Sequence, residues 1–160
     1  MKIRNGFVTN SSSSSFVVAF PHAPKSAKEI KKLLFGDEDT ITWYDDSSST
    51  LDVAKQVFND IKGQKPNDFA AIVQAMDTEI DYDDFTTASG EFDQDALRVA
   101  EAKIGKYEAT TFIKEAAESL GLSEDKIVVY VFDYADGGGQ GLMEHGEIFN
   151  ALPHRRFSHH

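Results

Sequence analysis

Residues 11 to 20 read Ser-Ser-Ser-Ser-Ser-Phe-Val-Val-Ala-Phe, five serines running directly into a continuous apolar pentapeptide. A serine tract ordinarily marks a flexible linker. Here only ten residues precede it, and Phe7-Val8 on one side and Phe16 to Phe20 on the other are both strand-like, so an ordered loop or a polar strand is expected. Ordering five serines costs backbone entropy and returns little hydrophobic gain. Their hydroxyls and amides must therefore be satisfied by the protein or by a ligand. Phe16 to Phe20 ends at Pro21 and Pro24, as a buried strand would.

Moving outward, Lys126-Ile-Val-Val-Tyr-Val-Phe132 is apolar without alternation, which predicts a central strand covered on both faces. Between these two runs the spacing is helical. Ser26 caps a helix with Ile30, Leu33 and Leu34 on one face and Gly36 as its stop. Thr40 to Tyr44 has the β-branched and aromatic content of a strand, and Asp45 to Ser49 reads as a turn. Thr50 caps a helix carrying Leu51, Ala54, Phe58 and Ile61 up to Gly63. Pro66 opens another, with Phe69, Ile72, Val73 and Met76. Asp77 to Gly90 is irregular or a short acidic strand, followed by two helices, Asp93 to Ile104 and Tyr107 to Leu120, the second ending at Gly121. The Asp-Gly-Gly-Gly segment at 136 to 139 predicts a hairpin into a strand over Leu142 to Phe149. Strands at both ends with helices between predict a single α+β domain over 1–160, its central mixed sheet formed by N- and C-terminal strands with about five helices packed on it. That pairing brings the serines towards the C-terminal tail.

The composition bounds the function. With 160 residues, 41% hydrophobic content and twelve Phe, the chain can build one substantial core. The lack of cysteine removes disulfides, thiolate nucleophiles and thiolate metal sites, and suits a reducing cytoplasm. No apolar run approaches the ~20 residues that span a bilayer, and Lys2, Arg4 and Asn5 interrupt the N-terminus where a signal peptide would be apolar, so a cytoplasmic protein with no membrane association is expected. A net charge of −11 argues against a nucleic-acid partner. Asp77, Glu79, Asp81, Asp83, Asp84, Glu91, Asp93 and Asp95 form an acidic stretch without a base, which reads first as solvated surface and alternatively as a surface that imitates nucleic-acid phosphates or docks onto a basic partner.

Four of the five histidines, His145, His154, His159 and His160, lie in the last sixteen residues, within Glu144-His145-Gly146 and Pro153-His154-Arg155-Arg156-Phe157-Ser158-His159-His160. Histidine and glutamate serve metal ligation and proton transfer near neutral pH. The spacing matches no established ligand signature. Hydrogen-bonded structural histidines, a disordered end or the remnant of an expression tag are the plainer readings. Glu144, His145 and His154 are the candidate catalytic residues. Ser11, Ser12, Ser13, Ser14, Ser15 and Arg155 are the candidate ligand-binding ones, and His145, His154 and His159 the candidate ligands of a divalent metal.

Arg-Asn-Gly-Phe-Val-Thr-Asn-Ser-Ser-Ser-Ser-Ser-Phe at the start and Glu-His-Gly, Phe149, Pro153-His154 and Ser158-His159-His160 at the end resemble a group of small uncharacterised proteins of bacteria and their phages. The resemblance covers about a quarter of the chain, with Thr9 where serine is expected. It implies an origin and a coupling of the two ends, not a chemistry.

If the ends meet, serine hydroxyls and Arg155 offer an anion site and the imidazoles offer proton transfer, which suits a phosphate-bearing small molecule. A metal held by Glu144 and the histidines ranks next. A serine nucleophile with a histidine base ranks below it, since no Gly-x-Ser-x-Gly elbow is present. Gly137 to Gly141 lacks the Lys-Ser/Thr of a P-loop, and 77 to 83 lacks the glycine and glutamate of an EF-hand. Asp133 and Asp136 flank the glycine turn and read as turn formers. The competing functions are an acidic, phage-type interaction protein engaging a host protein through 77–95 and a structural component of a larger assembly.

Overall fold

The computed structural model describes residues 2–4, 13–76, 79–135 and 141–159. Ser11, Ser12, Phe7-Val8, Asp77, the glycine turn at 136–139 and His160 lie outside them.

The chain forms β1 (Lys2–Arg4), β2 (Ser13–Phe20), α1 (Ala27–Phe35), β3 (Thr40–Trp43), β4 (Asp46–Ser49), α2 (Thr50–Lys62), α3 (Phe69–Ala75), β5 (Glu79–Asp81), a 3-10 helix (Tyr82–Phe85), α4 (Gln94–Leu120), β6 (Val128–Ala135), α5 (Gly141–His145) and β7 (His154–His159). The central sheet has the order β6-β2-β7, so the two ends of the chain do pair. It is antiparallel at both junctions rather than mixed, with Phe16 opposite both Phe132 and Arg156. The centre is β2, buried at all eight positions, and β6 is an edge strand. Two small ribbons, β1-β5 and β3-β4, complete the strands.

Because side chains alternate across a strand, β2 feeds two cores. Phe16, Val18 and Phe20 pack with Ile30 and Leu34 of α1, Val53 and Val57 of α2, and Ile148 and Phe149 after α5. Val17 and Ala19 pack with Ile72 of α3 and with Ala109, Phe112 and Ala116 of α4. The result is a three-layer α+β sandwich.

The helix starts follow capping chemistry. Ser26 Oγ accepts from Glu29 N–H (3.2 Å), and Ser49 Oγ from Asp52 N–H (3.0 Å). The cap of α2 is thus Ser49 and not Thr50, whose hydroxyl donates to Glu38 O (2.6 Å). Asp68 caps α3, accepting from Ala71 N–H (3.3 Å), so the helix opens at Phe69 and not at Pro66. Asp45 to Ser49 is not simply a turn, since Asp46–Ser49 pairs back on Thr40–Trp43.

Two expected features differ. The separate helices 93–104 and 107–120 are one helix of 27 residues. Gly105 sits in its middle because a Cβ there would stand 3.0 Å from Val73 Cγ1 and 3.1 Å from Val73 O, so the glycine admits α3 rather than stopping α4. The strand expected over 142 to 149 is the short helix α5 followed by a turn that buries Ile148 and Phe149 and leaves Glu147 exposed. It closes with Gly146 N–H donating to Leu142 O (2.8 Å). In the acidic segment, Asp81 caps the 3-10 helix through Asp83 N–H (3.0 Å) and Asp93 caps α4 through Ala96 N–H (3.0 Å). Among the described residues no helix is long and apolar enough to cross a membrane.

Candidate functional site

On the α1/α2 face of the sheet, four side chains from three segments close a ring. Ser14 projects from the central strand and its hydroxyl donates to Glu144 Oε1 (3.2 Å). Glu144, on α5, is fully buried. Its Oε2 lies 3.0 Å from Nε2 of His145, which keeps 21% of its side chain exposed. Arg156, on β7, donates from Nε to Ser14 Oγ (3.1 Å) and from Nη2 to His145 Nδ1 (3.1 Å). Ser158 Oγ approaches Ser14 Oγ at 3.5 Å.

The ring assigns its own protons. Arginine has donors only, so the His145 Nδ1 that faces it must be an acceptor, and the imidazole proton sits on Nε2. Of the buried carboxylate's two oxygens, Oε1 accepts from Ser14, while Oε2 lies close to the imidazole without a hydrogen bond to it. The carboxylate's charge is balanced by an arginine two contacts away on either path around the ring.

Local geometry holds each member in place. Phe16 and Arg156 are direct strand partners, and the guanidinium lies 5.8 Å from the Phe16 ring centroid. Trp43 of β3 stacks on the His145 ring at 4.8 Å and 19°. A Cβ on Gly146 would fall 2.3 Å from Leu142 O, so the residue after His145 must lack one for α5 to close where it does.

The sequence candidates divide. Ser14, Glu144 and His145 converge as expected. Ser13 and Ser15 point to the opposite face, where Ser15 Oγ donates to Asp133 Oδ1 (2.5 Å); Asp133 is therefore more than a turn former. His154 does not join: its Nδ1 pairs with Leu152 O (2.9 Å), and its strand position is two residues from Arg156. Arg155 is likewise on the wrong face for the ring, bound to Glu108 Oε2 (2.5 Å), 3.6 Å from Glu115 and over the Phe112 ring, where it clamps β7 to α4. The His159 backbone pairs with Ser13, and its side chain lies outside the description. Among the described residues no group of three or more His, Asp or Glu side chains is arranged to hold a metal. Nor does Ser14 have the geometry of a nucleophile activated by histidine, since its hydrogen is directed to Glu144.

Arg156, Trp43 and Ser158 were not singled out by the sequence reasoning. For Arg156 and Ser158 a usable signal exists: read as a strand, 154–159 alternates, and every second residue from His154 shares one face. Trp43 carries no such signal.

Compared with protein-family models, curated proteins and solved structures, the chain gives no match.

Proposed function

We propose that this protein is a small ligand-binding domain whose site is the Ser14–Glu144–His145–Arg156 ring, and that the ligand is a small molecule bearing phosphate. One observation carries this reading: a fully buried glutamate is tied through serine and histidine to an arginine that reaches solvent. As packing, such a ring is uneconomical, because apolar residues of similar volume usually stabilise a core at least as well as a buried ionic network does. As a binding device it is coherent. The guanidinium is planar and matches phosphate oxygens with paired donors. The glutamate stands behind serine and histidine rather than at the surface.

A phosphate oxygen would take over the Nη2 donor that now faces His145 Nδ1. No reaction is assigned to the site. The reading gives it anion binding.

Calorimetric titration with inorganic phosphate tests this. Saturable binding is expected, and Arg156→Gln should weaken it at least tenfold while keeping the fold. Absence of phosphate binding, or binding indifferent to Arg156→Gln, overturns the reading.

A further inference from the structure

The ring does not end at His145. Trp43 stacks on the imidazole, and the Tyr44 ring meets Trp43 edge-on at 4.8 Å and 86°. Tyr44 sits at the tip of the β3-β4 hairpin, 87% exposed, with φ of +52°. A bulky residue other than glycine in the left-handed region is uncommon and costs backbone energy. Asparagine or glycine would serve a bare turn better. A large aromatic ring is thus held in solvent, in a costly conformation, three contacts from Arg156.

Resting on the reading that Arg156 takes a phosphate, we infer that the ligand also carries a flat heteroaromatic ring, the chemistry of a nucleoside phosphate, with its base stacked on Tyr44. Aromatic side chains bind bases face to face without reading their sequence, and arginine takes the phosphate. The succession Tyr44, Trp43, His145, Arg156 runs from a stacking surface to a phosphate donor, with ring centroids 4.8 Å apart at each step and a 3.1 Å contact at the last. Asp45 and Asp46 follow Tyr44 in the hairpin, and carboxylates accept from sugar hydroxyls and ring N–H groups. The phosphate selects for Arg156. The ring selects for the hairpin.

Trp43 is the single tryptophan of the chain, so its emission reports on this surface directly. Titrations with adenosine monophosphate and with inorganic phosphate, followed by tryptophan fluorescence and by calorimetry, give the two affinities. The nucleotide is expected to bind about five- to a hundredfold tighter than phosphate, the range of one base–aromatic stack. Tyr44→Asn keeps a residue that tolerates positive φ and should bring the two affinities within about twofold, leaving that for phosphate unchanged. If phosphate binds and the nucleotide binds no tighter, or if Tyr44→Asn leaves the ratio intact, the stacking inference falls and the phosphate reading stands. If neither ligand binds, both fall.

Discussion

Glu144 Oε2 and His145 Nε2 lie 3.0 Å apart although the two residues are neighbours on one short helix, with the carboxylate fully buried and the imidazole partly in solvent. Adjacent helical residues do not ordinarily face one another. Here α5 is five residues long and ends at once, with Gly146 allowing the chain to turn away against Leu142 O. Trp43 then presses the imidazole flat, and Arg156 takes its other nitrogen. The pair is thus set by three segments far apart in sequence, which is how a site is pre-organised.

Removing the carboxylate tests how tightly these parts depend on one another. Glu144→Ala leaves the Ser14 hydroxyl without its acceptor and Arg156 without its counter-charge. A loss of about 1–3 kcal/mol in unfolding free energy is expected, read from urea denaturation. Replacing the whole ring by Ser14→Ala, Glu144→Met, His145→Phe and Arg156→Met should recover most of that loss while abolishing phosphate binding. If the fourfold variant is as unstable as Glu144→Ala, the ring is needed for stability, and the argument that it is uneconomical packing fails.

A second buried polar contact governs alkaline behaviour. The Tyr134 hydroxyl donates to Asp60 Oδ2 at 2.7 Å, and burial, then that hydrogen bond and the negative charges of Asp60 and Asp133, push its pKa far above the ordinary value. The unfolded chain releases this proton near pH 10 and the folded chain retains it, so the folded state binds more protons above that pH. The stability that Tyr134 contributes is therefore fully present and independent of pH below about pH 10, and is lost above it by ~1.4 kcal/mol per pH unit. Tyr134→Phe should cost about 1–2 kcal/mol at neutral pH by leaving Asp60 Oδ2 without its donor, and should flatten the alkaline decline. Tyr130, also raised by burial, maintains a residual slope. Equal slopes in wild type and Tyr134→Phe between pH 10 and 11 would contradict the assignment.

Much of this architecture was legible from apolar spacing. Phe16 to Phe20 marked a buried strand, and Ile30, Leu34, Ala54 and Ile61 marked two helix faces, because burial demands those periods. Lys126 to Phe132 reads as the central strand, yet β2 takes the centre and β6 lies at the edge, because both β6 and β7 pair with β2. What escaped was set by tertiary contact. Gly105 looks like a breaker until Val73 is seen against it, and Leu142 to Phe149 looks like a strand because five residues are too few to show a helical period. Glu144, His145 and Ser14 were found by residue chemistry alone. Arg155 was chosen in place of Arg156 because the tail was read as a collection of polar groups, and only the strand pairing shows that neighbours on it face opposite ways. The serine run divides for the same reason: Ser14 enters the ring and Ser15 reaches Asp133.

The outer edge of β6 yields the last prediction. An edge strand exposes backbone donors and acceptors that invite another strand, and proteins cover such edges. Here two amide side chains from the α2–α3 connection imitate a neighbouring strand. Asn67 accepts from Val129 N–H through Oδ1 (2.7 Å), gives its own N–H to Val129 O (3.1 Å) and donates from Nδ2 to Ile127 O (3.2 Å). Gln64 Oε1 accepts from Val131 N–H (3.0 Å). Asn67 adopts φ of +54°, a conformation asparagine tolerates better than most residues, so both its backbone and its amide suit the position. Gln64→Ala with Asn67→Gly removes both amides, while glycine keeps the positive φ available. The freed Val129 and Val131 amides should produce concentration-dependent self-association by light scattering, together with a destabilisation of about 1–3 kcal/mol from the lost partners. A variant that stays as dispersed and as stable as the wild type would mean that the amides merely lie along the edge, and that β6 is kept from pairing by something else.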